Sequence, residues 1–162
     1  MKKSLPYLVL MLSLYSPFVV RGQVPVQANS NHEQLLHSSD ARVAANKRLV
    51  YDFWREVFEG GHMELAEKYM LESYIQHNPN VPTGRAAFVE LFSKFVKSKP
   101  IEPRVRAPLV AVVAEGDLVI LSFLREETDP KDPTKKNTST WFDMFRVEGG
   151  KIAEHWDAAT RQ

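Results

Sequence analysis

The last stretch of the chain, residues 141–157, places acid and imidazole side chains within two otherwise apolar segments. Asp143, His155 and Asp157 can each accept, donate or share a proton, and such groups are costly to bury unless they are paired or have a role. Brought to one surface, two carboxyl groups and one imidazole could perform acid/base chemistry. The question is therefore whether the local structure brings them together.

The Glu148-Gly149-Gly150 sequence predicts a hairpin turn between these two segments. We favour a three-residue loop, because Gly150 tolerates the positive φ that the last residue of such a loop requires. This loop pairs Val147 with Lys151. Counted back along the antiparallel ladder, the facing pairs are Asp143 with His155 and Trp141 with Asp157. Side chains alternate with period two, so all four share one face.

The alternative is a two-residue loop that pairs Glu148 with Lys151, and it places Asp143 and Asp157 on opposite faces. In the favoured register the second face carries a mixed set that holds most of the large apolar groups: Phe142, Met144, Arg146, Ile152, Glu154 and Trp156. One face could then pack while the other lines a cavity.

The first 22 residues have the layout of a secretory signal peptide. Met1-Lys2-Lys3 is a basic start, an apolar run follows from Leu5 to Val20, and the end of this stretch fits cleavage after Gly22. The run is short for a membrane span, which needs about 20 apolar residues. We therefore expect a secreted or periplasmic protein with no stable membrane insertion after cleavage. Retention of the leader as an anchor is the alternative.

The composition of the chain excludes several classes of function. The chain has no cysteine, which excludes thiol catalysis, thiolate metal sites and disulfides. Removal of residues 1–22 leaves 18 basic and 20 acidic residues, and no basic stripe with interleaved aromatics is present. Nucleic acid is therefore not an expected partner. The remaining 140 residues suit one domain with a single core.

The pattern along the chain predicts helices first and strands last. Residues 23–40 are polar and unpatterned, so we expect a flexible lead-in, with a single domain over 41–162. Helices are predicted from Asp40 toward Glu59, from Met63 to Tyr69 and from Gly84 or Arg85 to Val96. Strands are predicted over Val105–Ala114 and Leu118–Glu127, then a polar loop over Thr128–Thr138 and the hairpin described above. This order favours an α+β domain whose helices cover one face of a curved antiparallel sheet.

Three segments carry a resemblance to a known family: Tyr69–Pro79, Thr83–Phe88 and Phe145–Asp157. Together they resemble the SnoaL-like, polyketide cyclase-like branch of the NTF2-like superfamily over roughly residues 41 to 160. The resemblance implies a cone-shaped α+β barrel in which N-terminal helices pack in a strongly bent antiparallel sheet that encloses a pocket. Fold alone does not fix function in such a superfamily.

The resemblance also implies roles for individual residues. The acid near the end of the last strand, which moves a proton in the cyclases, matches Asp157, and the polar group on the preceding strand matches Asp143. Related ketosteroid isomerases have an Asp-x-Phe-Arg pattern on that strand, which Asp143-Met144-Phe145-Arg146 repeats. There the carboxylic acid stays protonated and donates to an oxyanion.

One segment departs from the isomerase pattern. The isomerases place a general base within Glu-Asp-Pro, where this chain has His77-Asn78-Pro79. Asn78 cannot take a proton; His77 could, although its side chain points to the opposite side if the segment is extended. The departure favours the cyclase-like arrangement, with Asp157, Asp143 and His77 as the candidate catalytic residues.

The candidate substrate-binding residues are Trp54, Tyr74, Trp141 and His155, although large aromatics at apolar spacing often only pack in a core. We expect acid/base chemistry of an aldol, cyclase or isomerase type on a small hydrophobic or carbonyl-bearing ligand, with no cofactor. No metal is expected, because close His-x-His or His-Glu-x-x-His spacing is absent. The alternative is a non-catalytic ligand-binding module or a dimeric assembly module. A homodimer is the expected oligomeric state.

Overall fold

The computed structural model describes residues 24–161. The signal peptide predicted over residues 1–22 lies outside the described residues, so its cleavage and the export that it implies stay predictions. Within the described part of the chain, no helix is both long enough and apolar enough to cross a membrane.

The helices precede the sheet in the chain, as the sequence predicts. Their bounds are α1 His32–Leu36, α2 Ala41–Phe53, a π-helix Trp54–Glu59, a 3-10 turn Met63–Leu65, α3 Ala66–Tyr69 and α4 Arg85–Ser93. The predicted N-cap of the long helix is confirmed, because an Asp40 carboxyl oxygen accepts hydrogen bonds from the backbone N–H groups of Arg42 and Val43.

The π-helix matters because it controls how the end of α2 meets the rest of the domain. The Trp54 indole N–H donates to the carboxylate of Glu59, five residues later, at 3.2 Å. The same carboxylate accepts from the backbone N–H groups of Arg106 and Ala107, at 2.7 and 2.8 Å. Wider π-type turns are often found at functional sites. Here the turn fixes Trp54 against the segment that leads into the sheet.

The segment 23–40, predicted as a flexible lead-in, has more order than the sequence indicates. Its described part contains α1 and packs against the domain: His32 and Leu36 are buried, and the Nδ1 atom of His32 lies 2.7 Å from the Tyr51 hydroxyl. The backbone N–H of Asn29 also donates to the carbonyl of Leu109. Few apolar residues occur in this segment, but each of these contacts anchors it.

Five strands form one sheet in the order β1-β5-β4-β3-β2. Their bounds are β1 Met70–Gln76, β2 Leu109–Glu115, β3 Leu118–Asp129, β4 Asp132–Glu148 and β5 Lys151–Asp157. The α+β class and the NTF2-like architecture are confirmed, with a sheet that curls without closing. The sheet is mixed, since β1 runs parallel to β5 while the other neighbours are antiparallel. A first strand that follows helices and reaches the sheet edge beside the last strand produces this parallel pair.

The polar loop predicted over Thr128–Thr138 is wrong. β3 and β4 continue as a two-stranded ribbon to a tight turn between Asp129 and Asp132. The polar residues of this ribbon are exposed, so its hydrophobic pattern is weak although its backbone is paired. Pro130 is one of the two central residues of this turn and Pro133 is the second residue of β4, so the prolines indicate a longer loop than is present.

The predicted three-residue hairpin loop between β4 and β5 is also wrong. Glu148 pairs with Lys151, which leaves Gly149 and Gly150 as a two-residue turn with φ values of 57° and 76°. A type I′ turn needs positive φ at both central residues, and two glycines meet that demand without strain. The predicted pairing of Val147 with Lys151 is therefore replaced by Val147 with Ile152.

A bulge in β5 brings Asp143, His155 and Asp157 onto one face of the sheet, which the two-residue turn alone would not do. Val147 pairs with Ile152, but Arg146 pairs with Glu154, so Ala153 is an extra residue in β5. Beyond this bulge Phe145 faces His155 and Asp143 faces Asp157. The expected shared face is thus present, with partners different from those predicted.

The curled sheet packs its inner face against the helices. The core contains mainly aromatic and branched side chains, among them Val50, Phe53, Val57, Tyr69, Met70, Tyr74, Phe88, Leu109, Leu121, Phe145 and Ile152. Ile152, predicted for the second face, is fully buried on the inner one because the two-residue turn pairs it with Val147. Phe142, on the outer face, is 51 % exposed. The face that carries the acids is therefore the inward one.

Candidate functional site

A cavity of about 290 Å³ lies between the helices and the inner face of the sheet. Most of its wall is aromatic or apolar, and its polar groups come from β1, β4, β5 and the segment after β1. The lining residues are Phe53, Trp54, Phe58, Tyr74, Gln76, Asn78, Val81, Phe88, Phe92, Asp143, Phe145, His155 and Asp157. The sequence pattern therefore builds an aromatic pocket with one polar end.

The centre of the polar end is a buried pair of Asp143 and His155. Asp143 Oδ1 lies 3.1 Å from His155 Nε2, and the two residues are only 3 % and 8 % exposed. The other carboxyl oxygen, Asp143 Oδ2, is buried with no hydrogen-bond partner among the residues that the structure describes. A buried carboxyl oxygen without a partner is unusual in a folded protein and calls for a ligand or another explanation.

A chain of hydrogen bonds extends from His155 along β1. His155 Nδ1 lies 2.9 Å from Gln76 Oε1, which also accepts from the backbone N–H of Asn78 at 3.0 Å. Gln76 Nε2 in turn donates to the Tyr74 hydroxyl oxygen at 2.9 Å. The parallel register makes this possible, because Gln76 pairs directly with His155 and Tyr74 precedes it by two residues on the same face.

Asp157 is held at the open edge of the same polar end. Its Oδ2 accepts from Asn78 Nδ2 at 2.7 Å, and its Oδ1 accepts from the backbone N–H of Ala159 at 2.8 Å. The Asn78 amide is oriented by its own oxygen, which accepts from the backbone N–H of Asn80. Asp157 is only partly buried, so it can reach both a ligand in the cavity and solvent.

Tyr74 carries a neutral hydroxyl into this cavity. Burial raises the pKa of Tyr74 far above its usual value, and the nearby carboxylates of Asp157 and Asp143 raise the pKa further. The hydroxyl therefore stays protonated at physiological pH. It can donate a hydrogen bond to a ligand oxygen.

Within residues 24–161, one group of side chains has a spacing that would suit a metal ion. One ligand atom each from Asp143, His155 and Asp157 lies within 4.8 Å of the others. However, both oxygens of Asp157 and both ring nitrogens of His155 already have hydrogen-bond partners. A metal would have to displace several of these bonds, so the arrangement suits proton transfer better. That no metal is needed stays a prediction.

The structure brings together five of the seven candidate residues named from the sequence. Trp54, Tyr74, Asp143, His155 and Asp157 all line the cavity. Their roles are untested, but their shared location follows from the period-two alternation of β1, β4 and β5 and from the wider turn at the end of α2.

His77 lies outside the cavity, on the outer face of the sheet. Its ring stacks on Trp156, with the centroids 4.6 Å apart and the planes 4° from parallel, and its Nε2 lies 2.9 Å from a Glu154 oxygen. Gln76 points inward, so the next residue in the extended strand must point outward. His77 therefore does not fit the catalytic role suggested for it.

Trp141 also lies away from the cavity and does not face Asp157. It pairs with Phe123 of β3, and the guanidinium carbon of Arg125 lies 5.5 Å from its ring centroid. Trp141 precedes Asp143 by two residues on the side where β3 and β4 leave the helices to form the exposed ribbon. This face of β4 therefore lines the cavity at Asp143 but not at Trp141, where the ribbon begins.

Gln76 and Asn78 are the site residues that the sequence analysis did not identify. Neither side chain can take a proton at physiological pH, so neither residue has the chemistry of a catalytic acid or base. The alternation Tyr74-x-Gln76-x-Asn78 was the available signal, because period two places three polar groups on one face of an otherwise ordinary strand. The sequence gives no signal for the parallel pairing of β1 with β5, which brings these groups beside His155.

The outer face of the hairpin carries a separate apolar surface. Phe142, Met144 and Trp156 line a shallow hollow there, next to the backbone at Asp157 and Ala158. This is the surface on which the expected homodimer would form. The homodimer stays a prediction.

Comparison with known proteins agrees with this geometry. Residues 50–155 match the model of a family described as the SnoaL-like domain. None of the curated proteins matches the chain in sequence.

Solved structures resemble the chain at low sequence identity. An NTF2-like protein from Anabaena variabilis has a TM-score of 0.50 at 17 % identity, over 76 % of this chain and 94 % of that one. A candidate polyketide cyclase from Acidithiobacillus ferrooxidans has a TM-score of 0.48 at 21 % identity, over 75 % and 89 %. A LEH-like epoxide hydrolase from M. tuberculosis has a TM-score of 0.47 at 13 % identity, over 70 % and 80 %. Such distant likeness bears on fold only.

Proposed function

The chain belongs to the SnoaL-like domain family, and from this premise we propose that it is an enzyme that moves a proton next to the carbonyl group of a small apolar compound. The reaction is of the aldol, cyclase or isomerase type and uses no cofactor. Asp157 is the proton acceptor. The Asp143–His155 pair and the Tyr74 hydroxyl face the substrate oxygen.

The observation that carries this proposal is the unpartnered Oδ2 of Asp143 at the polar end of an aromatic cavity. A group that is 3 % exposed cannot satisfy its hydrogen-bonding capacity with bulk water. A substrate oxygen that carries a hydrogen, as an enol or hydroxyl group does, would fill this role. The lining supplies no lysine or arginine to do so instead.

Asp157 is the better base of the two carboxyl groups because of its surroundings. Two N–H donors, from Asn78 and Ala159, fix its plane while each oxygen keeps lone-pair capacity for an incoming proton. Its partial exposure lets the proton leave to solvent or return to the substrate. Asp143, by contrast, lines the cavity with His155 but is almost fully buried, so it has little access to solvent.

The step balances without an external reagent. The Asp157 carboxylate takes a proton from the carbon beside the carbonyl group, and the C–H electron pair becomes the C=C bond of an enolate. The carbonyl π electrons move onto oxygen, where the hydrogen bond from the Tyr74 hydroxyl stabilises the charge. The enolate then either regains the proton at another carbon or attacks a second carbonyl carbon of the same molecule, whose oxygen takes the proton.

The walls of the cavity limit the substrate to a small, mostly apolar molecule. Phe53, Phe88 and Phe145 present aromatic surface, and Trp54 stacks on Phe123 at a centroid distance of 4.7 Å behind the wall. A volume of about 290 Å³ is near the lower end of small-molecule pockets. Two fused rings with one carbonyl group are a suitable size and shape for a probe.

The test uses exchange of carbon-bound hydrogen, which needs no knowledge of the physiological substrate. The full chain is incubated with 2-tetralone in D₂O, and loss of the proton signal beside the carbonyl group is followed by NMR. Binding of 2-naphthol, a flat analogue of the enolate, is measured in parallel by fluorescence. We expect wild-type protein to bind 2-naphthol and to accelerate exchange above the buffer rate.

The rival candidate is a module that binds a small ligand without transforming it. The aromatic lining favours it as much as it favours an enzyme, since apolar burial drives binding in either case. A protein that binds 2-naphthol but leaves the exchange rate at its buffer value would support this rival and would refute the proposed proton transfer.

We also propose that the protein is exported, because residues 1–22 have the layout of a signal peptide. Mass spectrometry of the protein recovered outside the cytoplasm tests this. A mature N-terminus at Gln23 is expected, and an intact Met1 on a cytoplasmic protein would contradict it.

A further inference from the structure

Gln76 lies at the centre of the polar end, with each group of its side-chain amide bonded to a different partner. Its oxygen is 2.9 Å from His155 Nδ1, and its nitrogen is 2.9 Å from the Tyr74 hydroxyl oxygen. The inference drawn from this residue rests on the proposed function, because it concerns how the same site holds its protons.

The orientation of the Gln76 amide is fixed by the backbone. The N–H of Asn78 lies 3.0 Å from Gln76 Oε1, and a backbone N–H can only donate. The atom that faces Asn78 must therefore be the amide oxygen. Rotation of the amide by half a turn would place its NH₂ group against that N–H and lose the bond.

This orientation determines where His155 carries hydrogen. Because Gln76 Oε1 can only accept, His155 Nδ1 must be the donor and therefore bears a hydrogen. Rotation of the imidazole ring would present carbon atoms to both Gln76 and Asp143, so the ring orientation is also fixed by its two partners. The remaining nitrogen, Nε2, faces Asp143.

The gap of 3.1 Å between His155 Nε2 and Asp143 Oδ1 must then contain one hydrogen. Without it, two lone pairs would face each other in a buried site. The hydrogen belongs either to an imidazolium beside a carboxylate or to a carboxylic acid beside a neutral imidazole, and both forms make the pair neutral overall. The other titratable groups that face it are Asp157 and Tyr74, and neither is a cation.

Gln76 orients a second hydrogen as well. Because Gln76 Nε2 donates to the Tyr74 hydroxyl oxygen, the hydroxyl hydrogen must point elsewhere. Tyr74 lines the cavity, so this hydrogen is available to a ligand oxygen there. The same amide therefore acts on the proton of the Asp143–His155 pair and on the Tyr74 hydroxyl.

We propose that Gln76 is a positioning residue: its amide keeps one hydrogen between His155 and Asp143 and turns the Tyr74 hydroxyl toward the substrate oxygen. The site then holds a hydrogen-bond donor to the substrate oxygen, the Tyr74 hydroxyl, beside a proton acceptor, Asp157, and leaves Asp143 Oδ2 as an acceptor for a substrate hydroxyl group. Gln76 touches no reacting atom itself. It acts by removing the other protonation patterns that the same residues could adopt.

Multinuclear NMR of the full chain, labelled with ¹⁵N and ¹³C, tests the proposal without a substrate. The ring nitrogen signals of His155 show which nitrogens carry hydrogen, and the side-chain carboxyl carbon of Asp143 shows whether it is an acid or a carboxylate. Two patterns support the proposal: Nδ1–H with a protonated Asp143, or hydrogen on both nitrogens with ionised Asp143. A bare Nδ1, or a neutral ring with Nδ1–H beside ionised Asp143, overturns it.

Variants separate positioning from general structural support. Gln76→Leu removes the acceptor, and we expect the single His155 pattern to give way to a mixture of tautomers. Gln76→Glu keeps an acceptor for both Asn78 and His155, so it should restore hydrogen on Nδ1. His32, which is buried against Tyr51 far from the site, provides an internal control whose signals should stay unchanged.

Exchange of 2-tetralone gives the functional readout. We expect Gln76→Leu to slow exchange by on the order of tenfold to a hundredfold, within the range that a positioned acid contributes, while 2-naphthol still binds. An unchanged exchange rate in this variant would overturn the positioning role. If the NMR pattern fails but wild-type exchange is rapid, only this inference falls; if the pattern holds and exchange is absent, only the proposed function falls.

Discussion

Asp143 and Asp157 face each other directly across β4 and β5, and this relationship depends on how β5 accommodates one extra residue. Ala153 is that residue, and it forms a bulge that moves every later residue of β5 by one position relative to β4. If Ala153 were paired in a regular ladder instead, the two-residue Gly149-Gly150 turn would pair Asp143 with Trp156 and direct His155 and Asp157 to the outer face. The bulge therefore keeps both acids at the polar end of the cavity while Ala153 is present.

Deletion of Ala153 should remove the bulge and preserve the site. Glu154 would then follow Ile152 directly, so Phe145 still pairs with His155 and Asp143 with Asp157 in a regular ladder. We therefore expect the variant to fold and to bind 2-naphthol. Denaturant unfolding and naphthol fluorescence measure it. A folded variant that no longer binds 2-naphthol would show that these pairs do not determine which face the acids take.

Asp157→Asn should remove the base while the domain stays folded. General base catalysis contributes roughly 10²- to 10⁴-fold, and we expect a loss of that size in the 2-tetralone exchange rate. The new NH₂ group must face one of the two N–H donors, from Asn78 or Ala159, so a stability cost of about 1 kcal/mol is also expected.

Glu154→Gln is the matched control for the Asp157 variant. Glu154 is on the same strand but on the outer face, where its carboxylate pairs with Arg146 and His77. It should leave exchange unchanged, because no part of it reaches the cavity. Full exchange activity in Asp157→Asn would show that the proton goes to another group.

Substitutions of Asp143 should change the exchange rate and the stability of the fold to different extents. In Asp143→Asn the side-chain amide can still donate to His155 Nε2, so we expect stability within about 1 kcal/mol of wild type but much slower exchange. Asp143→Leu has a similar volume and no donor, and the unpartnered ring nitrogen should cost roughly 1–3 kcal/mol. Thermal unfolding compares the two. A leucine variant as stable as the asparagine variant would mean that the Asp143–His155 contact contributes nothing to the fold.

The fold could be predicted because its signals are local or repeated. The Asp40 cap, the apolar stripes of α2 and α4 and the β-branched runs of β2 and β3 each predict their own element. The acid/imidazole face was also predicted correctly, although through the wrong turn. The predicted register has one extra residue in the loop, and the observed register has one extra residue in β5. Both shift the later residues of β5 by one position, so the same side chains point inward beyond the bulge.

The rest of the site depends on pairings between distant parts of the chain. Gln76 meets His155 only because β1 joins the sheet parallel to β5, and nothing within either strand specifies that neighbour. Trp141 shares its strand face with Asp143 but does not line the cavity, and the sequence of β4 does not distinguish the two positions. The pairing of the exposed ribbon was missed for a related reason, since polar strands that bury nothing lack a hydrophobic pattern.

The tyrosines provide a pH test of burial around the core and the cavity. Burial is the largest cause that raises the pKa of Tyr51, Tyr69 and Tyr74. The bond from the Tyr69 hydroxyl to Glu56 adds to the effect and brings the pKa of Tyr69 to about 12. All three residues should therefore be less ionised at a pH of about 10 than the tyrosines of an unfolded chain, half of which are ionised there.

A raised pKa in the folded state means that the native protein holds these protons more tightly than the unfolded chain does. The resulting stability is fully present below a pH of about 10 and is lost as the pH rises through the folded values, so the free energy of unfolding should fall on the alkaline side. Absorbance of tyrosinate near 295 nm measures the ionisation, in a background in which Tyr7 and Tyr15 are replaced by phenylalanine. Tyr69→Phe should make the alkaline loss of stability smaller. Native protein with as much tyrosinate as denatured protein at that pH would contradict the burial of these hydroxyls, and with it the neutral Tyr74 donor on which the site depends.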